Sequence, residues 1–260
     1  MFDFNLIFIP LFGFLIGLFV STLGGGGGGL YVPVLTLIFG VTPQVAVATS
    51  LASVLPTTAA GAYSHYREGN VNIRTGLILG IGGIFGTVIG AYIANMIPPM
   101  LLKKLLGAFM LLMIIPTVRS MLKRRKNKNV VKKEPSTLTG PKKIIASLFG
   151  VASGMLAGVF GLSGTPPVTA GLYSLGLPAM MVVGTTVFVL IFNSITGIGT
   201  YLFLGRLDIP LILLLGSGAV VGAFLGPKLL KKMDPKTFEK IFGPLTLGIS
   251  SVLGIALLLA

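Results

Sequence analysis

The sequence predicts an all-α integral membrane protein, with about eight transmembrane helices plus two short broken or re-entrant segments, built from two inverted repeats. Three observations lead there. The chain is too apolar to cover itself with polar surface: its mean hydropathy is +0.97, with 53% hydrophobic and 10% charged residues, against about a quarter charged in a soluble domain. Its glycines recur at one fixed offset. And six consecutive glycines in STLGGGGGGL (21–30) interrupt an apolar run, with a second interruption at the matching place later in the chain.

The apolar runs are residues 5–23, 43–66, 75–97 and 105–118, then 144–160, 178–204, 209–225 and 238–260. Runs approaching ~20 apolar residues are long enough to cross the hydrocarbon core. The first is read as a retained helix rather than a signal peptide, since no Lys or Arg precedes Arg67 and only Asp3 flanks it. Between the two sets lies RSMLKRRKNKNVVKKEPSTLTGPKK (119–143), which holds ten of the twenty Lys and Arg. A basic stretch between spans is a cytoplasmic loop by the positive-inside rule, and it can also meet anionic lipid headgroups. No aromatic residue is interleaved there for base stacking, so the net charge of +14 is not a nucleic-acid signature. The chain therefore divides into a first repeat (1–118), the basic loop (119–143) and a second repeat (144–260) in a cell membrane.

A shift of 136 residues places Gly61, Gly69, Gly80, Gly82, Gly86, Gly90 and Gly107 on Gly197, Gly205, Gly216, Gly218, Gly222, Gly226 and Gly243. It also places Thr49–Ser50 on Thr185–Thr186, and a slightly smaller shift brings Gly24, Gly27 and Pro33 onto Gly158, Gly161 and Pro167. So long a register is an internal duplication. Each copy runs helix, glycine break (GGGGGGLYVP or GVFGLSGTPP), short apolar piece (34–39 or 168–175), long helix, polar turn, GxxxGxxxG helix and final helix. The glycine-spaced helices are close-packing surfaces. Two orientations fit. Short pieces that merely dip give parallel copies, whereas short pieces that carry the chain across with their neighbours give inverted ones. Inversion gathers 119–143, Arg67, Arg74 and the lysines of 228–240 on one side, leaving Lys103, Lys104 and Arg206 opposite, and charge bias favours it.

The glycines do not cradle a nucleotide. No Lys-Ser or Lys-Thr follows the run, and the GxGxxG spacing from Gly24 lacks a preceding soluble strand and the later acidic residue. Irregular backbone at membrane depth survives where it is buried in protein or lines a polar cavity, and paired breaks in two repeats point to a transport site. Helices restarting after such breaks aim N-terminal amides and positive dipole ends inward, which suits an anion. The proposed substrate-binding set is Gly27, Gly28, Gly29 and Tyr31 at the first break and Ser163, Gly164 and Thr165 at the second. Thr49, Ser50, Ser53, Thr185, Thr186 and Asn193 on the following helices complete it. Thr57, Ser64, Thr196 and Thr200 extend the same stripes, where helix packing is an equal alternative role. Arg67 and Arg206 are weaker candidates for anion recruitment, with interfacial anchoring the simpler role. His65 reads as a headgroup contact.

No Asp, Glu, Lys or Arg lies in the middle of a span, there is no cysteine, and His65 is the single histidine. These absences argue against a metal site, a cofactor and catalysis, since an enzyme needs a positioned base or metal. They also argue against an internal carboxylate relay.

The run GGGGGGLYVPVLTLIFGVTPQVAVATSLASVLPTTAAGAYSHYREGNVN resembles the N-terminal signature of the TauE/SafE family, the sulfite exporters. The stretch GVFGLSGTPPVTAGLYSLGLPAMMVVGTTVFVLIFNSITGIGTYLFLGRLD is similar to that family's second repeat. The resemblance implies a transporter of sulfite, organosulfonates or related small sulfur-containing or carboxylate anions. Ser163 and Thr165 stand where glycines would be, so the two half-sites are not equivalent. The expected partners are a small anion, membrane lipids, protons as a candidate coupling ion and a second copy as a candidate homo-oligomer. An anion channel is the alternative within transport, and a non-transporting membrane subunit is the alternative of another class.

Overall fold

The computed structural model describes residues 7–23, 28–126, 140–161, 164–230 and 235–260. These form ten helices: α1 (Ile9–Leu23), α2 (Gly28–Leu37), α3 (Pro43–Arg67), α4 (Ile73–Met96), α5 (Pro99–Lys126), α6 (Gly140–Phe160), α7 (Thr165–Ser174), α8 (Ala179–Phe203), α9 (Ile209–Leu230) and α10 (Pro235–Leu259). Four of them, α3, α4, α6 and α8, are long and apolar enough to cross a membrane, and 9–19, 209–225 and 247–259 are shorter apolar stretches. The short pieces begin earlier than the sequence suggests, because α2 takes in Gly28 and Gly29 and keeps Pro33 inside it. The helix expected to end at residue 118 runs on to Lys126, since Lys and Arg are good helix formers. Residues 127–139 of the basic segment lie outside the described residues.

Sequence chemistry sets the ends of the long helices, and it repeats. Asn72 caps α4, its Oδ1 accepting from the Thr75 N–H at 3.0 Å; Asp208, 136 positions on, accepts from the Leu211 N–H at 3.0 Å to cap α9. The turns before these caps are closed by Gly69 (φ +72°) and Gly205 (φ +67°), left-handed positions that glycine adopts without penalty.

The small-residue stripes decide how the helices pair. A Cβ built at Gly82 would lie 2.5 Å from the Ser147 carbonyl oxygen, and one at Gly90 would lie 2.5 Å from that of Met155. From the other side, Cβ atoms at Gly150, Gly154 and Gly158 would strike the carbonyls of Leu79, Gly83 and Thr87. Rising numbers on α4 meet rising numbers on α6, so the two run parallel with backbones in contact. The same holds for α1 and α9, where Gly13 and Gly17 face Leu215 and Ala219 while Gly218 and Gly222 face Pro10 and Phe14. The fourth helix of each half thus clasps the first helix of the other. The opposite face of α4 turns outward, with Ile81, Phe85 and Ile89 exposed, as expected of a helix that is apolar all round.

Between the two clasps lies an antiparallel pair. Along α3 and α8, Leu51 meets Gly197, Gly61 meets Val187 and His65 meets Gly184. Helices α5 and α10 meet at Gly107 and Gly254. The short α7 turns back along α6, with Gly164 against Ser153 and Gly171 against Phe149. It therefore returns the chain toward the side from which α6 set out. One core cluster joins α1, α2 and α3 to α9 and includes Tyr31, Leu35, Leu51 and Leu215; a second gathers Leu79, Val168, Leu172 and Val182 around α7.

Candidate functional site

The polar groups of the interior sort by whether they have partners. Several hydroxyls simply return to their own helix: Thr57 and Thr58 donate to the Val54 carbonyl, Thr200 to Thr196, and Thr87 to Gly83. Among the described residues, six buried polar atoms have no hydrogen-bond partner: Thr49 Oγ1, Ser53 Oγ, His65 Nδ1, Thr186 Oγ1, Asn193 Oδ1 and Ser194 Oγ. All six belong to the central pair α3 and α8. An unpaired buried polar group costs about 1–3 kcal/mol, so this concentration on two helices out of ten needs a reason.

The hydroxyl pairs 49–50 and 185–186, 136 positions apart, divide their labour in opposite ways. On α3 Ser50 is engaged, donating to the Gly161 carbonyl at 3.0 Å, while Thr49 is unpaired. On α8 Thr185 is engaged, accepting from the Asn72 N–H at 2.9 Å, while Thr186 is unpaired. Ser50 ties α3 to the second glycine break, and Thr185 ties α8 to the α3–α4 turn.

That break is built tightly. Gly161 (φ +65°) sits against Val32, Val47 and Ser50, and Gly164 (φ +68°) sits against Ser153, so neither the dihedral nor the space admits a side chain. Ser153 Oγ accepts from Asn193 Nδ2 at 2.9 Å. The Tyr201 hydroxyl donates to the Gly158 carbonyl at 2.7 Å and satisfies the end of α6. Asn193 is fully buried, and its free Oδ1 lies against Gly83.

The residues chosen from sequence do not meet at one point. From the α3–α8 pairing, Ser50 is level with residue 198 and Thr186 with residue 62, which separates them by about 18 Å along the pair at 1.5 Å per residue. The unpaired groups instead form a series of levels: Thr49, then Ser53, then Asn193 and Ser194, then Thr186, then His65. Gly28 and Gly29 open α2, Tyr31 is buried in the first core cluster, and Gly164 and Thr165 start α7. Gly27 and Ser163 lie outside the described residues. Arg67 is exposed at the end of α3, while Arg206 follows α8 at the opposite end and donates from Nε to Asn95 Oδ1 at 2.8 Å. The two arginines do not converge.

Helix α7 is a poorer anion cradle than its position suggests. Its second and third residues are Pro166 and Pro167, which carry no N–H, so its first turn offers fewer backbone donors than an ordinary helix start. Sequence reasoning missed Ser153, Ser194 and Tyr201. The spacing Gly150-x-x-x-Gly154-x-x-x-Gly158 was the available signal for Ser153, because it marks α6 as a buried helix whose small polar residue must face a neighbour. No metal-holding group of three or more His, Cys, Asp or Glu occurs among the described residues.

Residues 9–253 match the family described as Sulfite exporter TauE/SafE. The chain is 34% identical over 241 residues to the Probable membrane transporter protein YdhB of Bacillus subtilis (strain 168), covering 92% of this chain and 96% of the relative. It is 29% identical over 255 residues to YunE of the same organism, covering 91% and 93%. With the Probable membrane transporter protein MJ0441 of Methanocaldococcus jannaschii it shares 30% identity over 268 residues, covering 96% and 94%. No solved structure matches the chain. An apolar helical fold, a central helix pair carrying unpaired polar groups and a match along nearly the whole length agree: the chain belongs to the TauE/SafE family of membrane transporters.

Proposed function

We infer that the protein is a secondary transporter, exporting small anions of the sulfite and organosulfonate kind, and that it is not an enzyme. The single observation that carries this reading is that, among the described residues, the unpaired buried polar atoms are confined to α3 and α8. A row of hydroxyl and amide groups that ends at His65 serves a polar solute in transit along this pair. The family's description as sulfite exporters supports sulfur oxyanions over other solutes.

The helix directions support eight longer helices arranged as two inverted repeats, 1–118 and 144–260, each with a short returning piece, α2 or α7. Because α3 runs against α8, the end of α5, the start of α6 and the α3–α4 turn fall on one side. That side carries the basic segment 119–143, Arg67 and Arg74, while Lys103, Lys104 and Arg206 fall on the other. By the positive-inside rule the first side is cytoplasmic in a cell membrane. Lipid headgroups are the natural partner of the basic segment, protons are the coupling ion to test, and assembly with a second copy is a matter for measurement.

The test is flux from liposomes holding the purified chain and labelled sulfite, methanesulfonate or acetate, with and without a pH gradient. Saturable efflux of the two sulfur oxyanions is expected, and gradient dependence identifies proton coupling. Thr49→Val and Thr186→Val should each weaken anion binding several-fold. Undiminished binding in both folded variants removes the α3–α8 site.

A further inference from the structure

We propose that the α3–α8 seam accepts singly charged oxyanions and rejects doubly charged ones of the same size and shape. This rests on the transporter reading above and adds a charge rule to it.

Residues 75–102, 105–118, 144–205, 209–227 and 241–260 contain no Lys, Arg, His, Asp or Glu, and within α3 the only ionisable or charged side chains other than tyrosine are His65 and Arg67 at its end. The middle of the seam is the level of Ser53, Asn193 and Ser194. Arg67 is fourteen residues along α3 from Ser53, about 21 Å at the helical rise, and Arg206 is about as far from Asn193. Arg206 is moreover hydrogen-bonded to Asn95. Neither of the arginines that end α3 and follow α8 reaches the middle of the seam.

The neutral donors are also few at any one depth. The unpaired hydroxyls of Thr49, Ser53, Ser194 and Thr186 are spread along the pair, and only those of Ser53 and Ser194 fall at one level. Asn193 is turned toward α6 and α4, its amide donating to Ser153 and its Oδ1 lying against Gly83, so it adds no donor to Ser53 and Ser194. Helix α7 cannot make up the difference with backbone amides, since Pro166 and Pro167 remove two from its first turn. The cost of taking an ion out of water grows as the square of its charge, so a dianion pays about four times what a monoanion pays in the Born limit. The same few neutral donors face both. The seam can offset the smaller cost and not the larger.

The probes are sulfate, a dianion, and two monoanions of its shape, methanesulfonate and fluorosulfate; in the latter a fluorine replaces one sulfate oxygen. The full chain in liposomes, at constant pH near neutrality, is loaded with labelled methanesulfonate, and each unlabelled anion is tested as competitor on both faces. Fluorosulfate is expected to compete within about tenfold of methanesulfonate itself, and sulfate to be at least about a hundredfold weaker, a ratio worth two decades of affinity. Sulfate competing within tenfold of fluorosulfate overturns the charge rule while leaving the transporter reading intact. Folded protein that neither binds nor moves methanesulfonate or sulfite overturns both, so the two failures are told apart.

Discussion

At the scale of single residues, the engaged and unpaired hydroxyls make opposite predictions. Ser50→Ala leaves the buried Gly161 carbonyl without its donor, and Thr185→Val leaves the Asn72 N–H without its acceptor. Each should cost about 1–3 kcal/mol, read as a lower midpoint in thermal unfolding of the detergent-solubilised protein. Thr186→Val removes a group that has no partner to lose, so its midpoint should hold or rise while its anion affinity falls. A single position thus separates stability from function. The sequence made the residue types legible but not these roles. Thr185 and Thr186 are adjacent and chemically alike, and only the placement of the α3–α4 turn decides which one is occupied. Glycines behave differently, because Gly86→Ala pushes a methyl group into the Val151 carbonyl. Overpacking of that kind should lower stability by about 1–3 kcal/mol, checked in the same unfolding assay.

At the scale of helices, the boundaries of α3, α4 and α8 could be read closely, since apolar runs, prolines and caps mark them, whereas α5 extends well past both ends of the run 105–118. The shorter pieces could not. Pro33 inside α2 suggests a break, yet the helix continues through it, because the proline falls in the second turn and only a carbonyl of the first turn loses a donor. Nor did composition disclose Gln44. Buried on α3, it gives its amide protons to the carbonyls of Ala94 at 3.3 Å and Ile97 at 2.9 Å, closing the end of α4. A lone glutamine near a helix start carries no pattern that names a partner fifty residues away. Gln44→Leu should leave those carbonyls unpaired and loosen the end of α4. The expected readout is faster amide hydrogen exchange at residues 93–97, with little change in the middle of α4.

At the scale of the whole molecule, the glycine register suggests a duplication, but it gives no sign of the clasp. A GxxxGxxxG stripe says that a backbone approaches, without saying whose. Two measurements address the assembly. The chain has no cysteine, so single substitutions such as Lys103→Cys and Lys142→Cys report sidedness cleanly, and a membrane-impermeant thiol reagent should label them from opposite faces. Residues 1–126 and 140–260 expressed as separate chains should be recovered folded only when made together, co-purifying through α1–α9 and α4–α6. Folded half-chains obtained alone would contradict the clasp.

The clasp also imposes a schedule on synthesis. When α1 leaves the ribosome, the groove that receives Gly13 and Gly17 belongs to α9, which is about 200 residues away and roughly 10–40 s later at usual elongation rates. Helix α4 waits for α6 for a shorter interval. During these delays two glycine-lined backbones stand in lipid without their mates, open to any small-residue helix nearby. Biogenesis, rather than the finished molecule, is therefore where this architecture is most exposed, and a helper that shields young helices at the insertion site would matter more to its yield than to its activity.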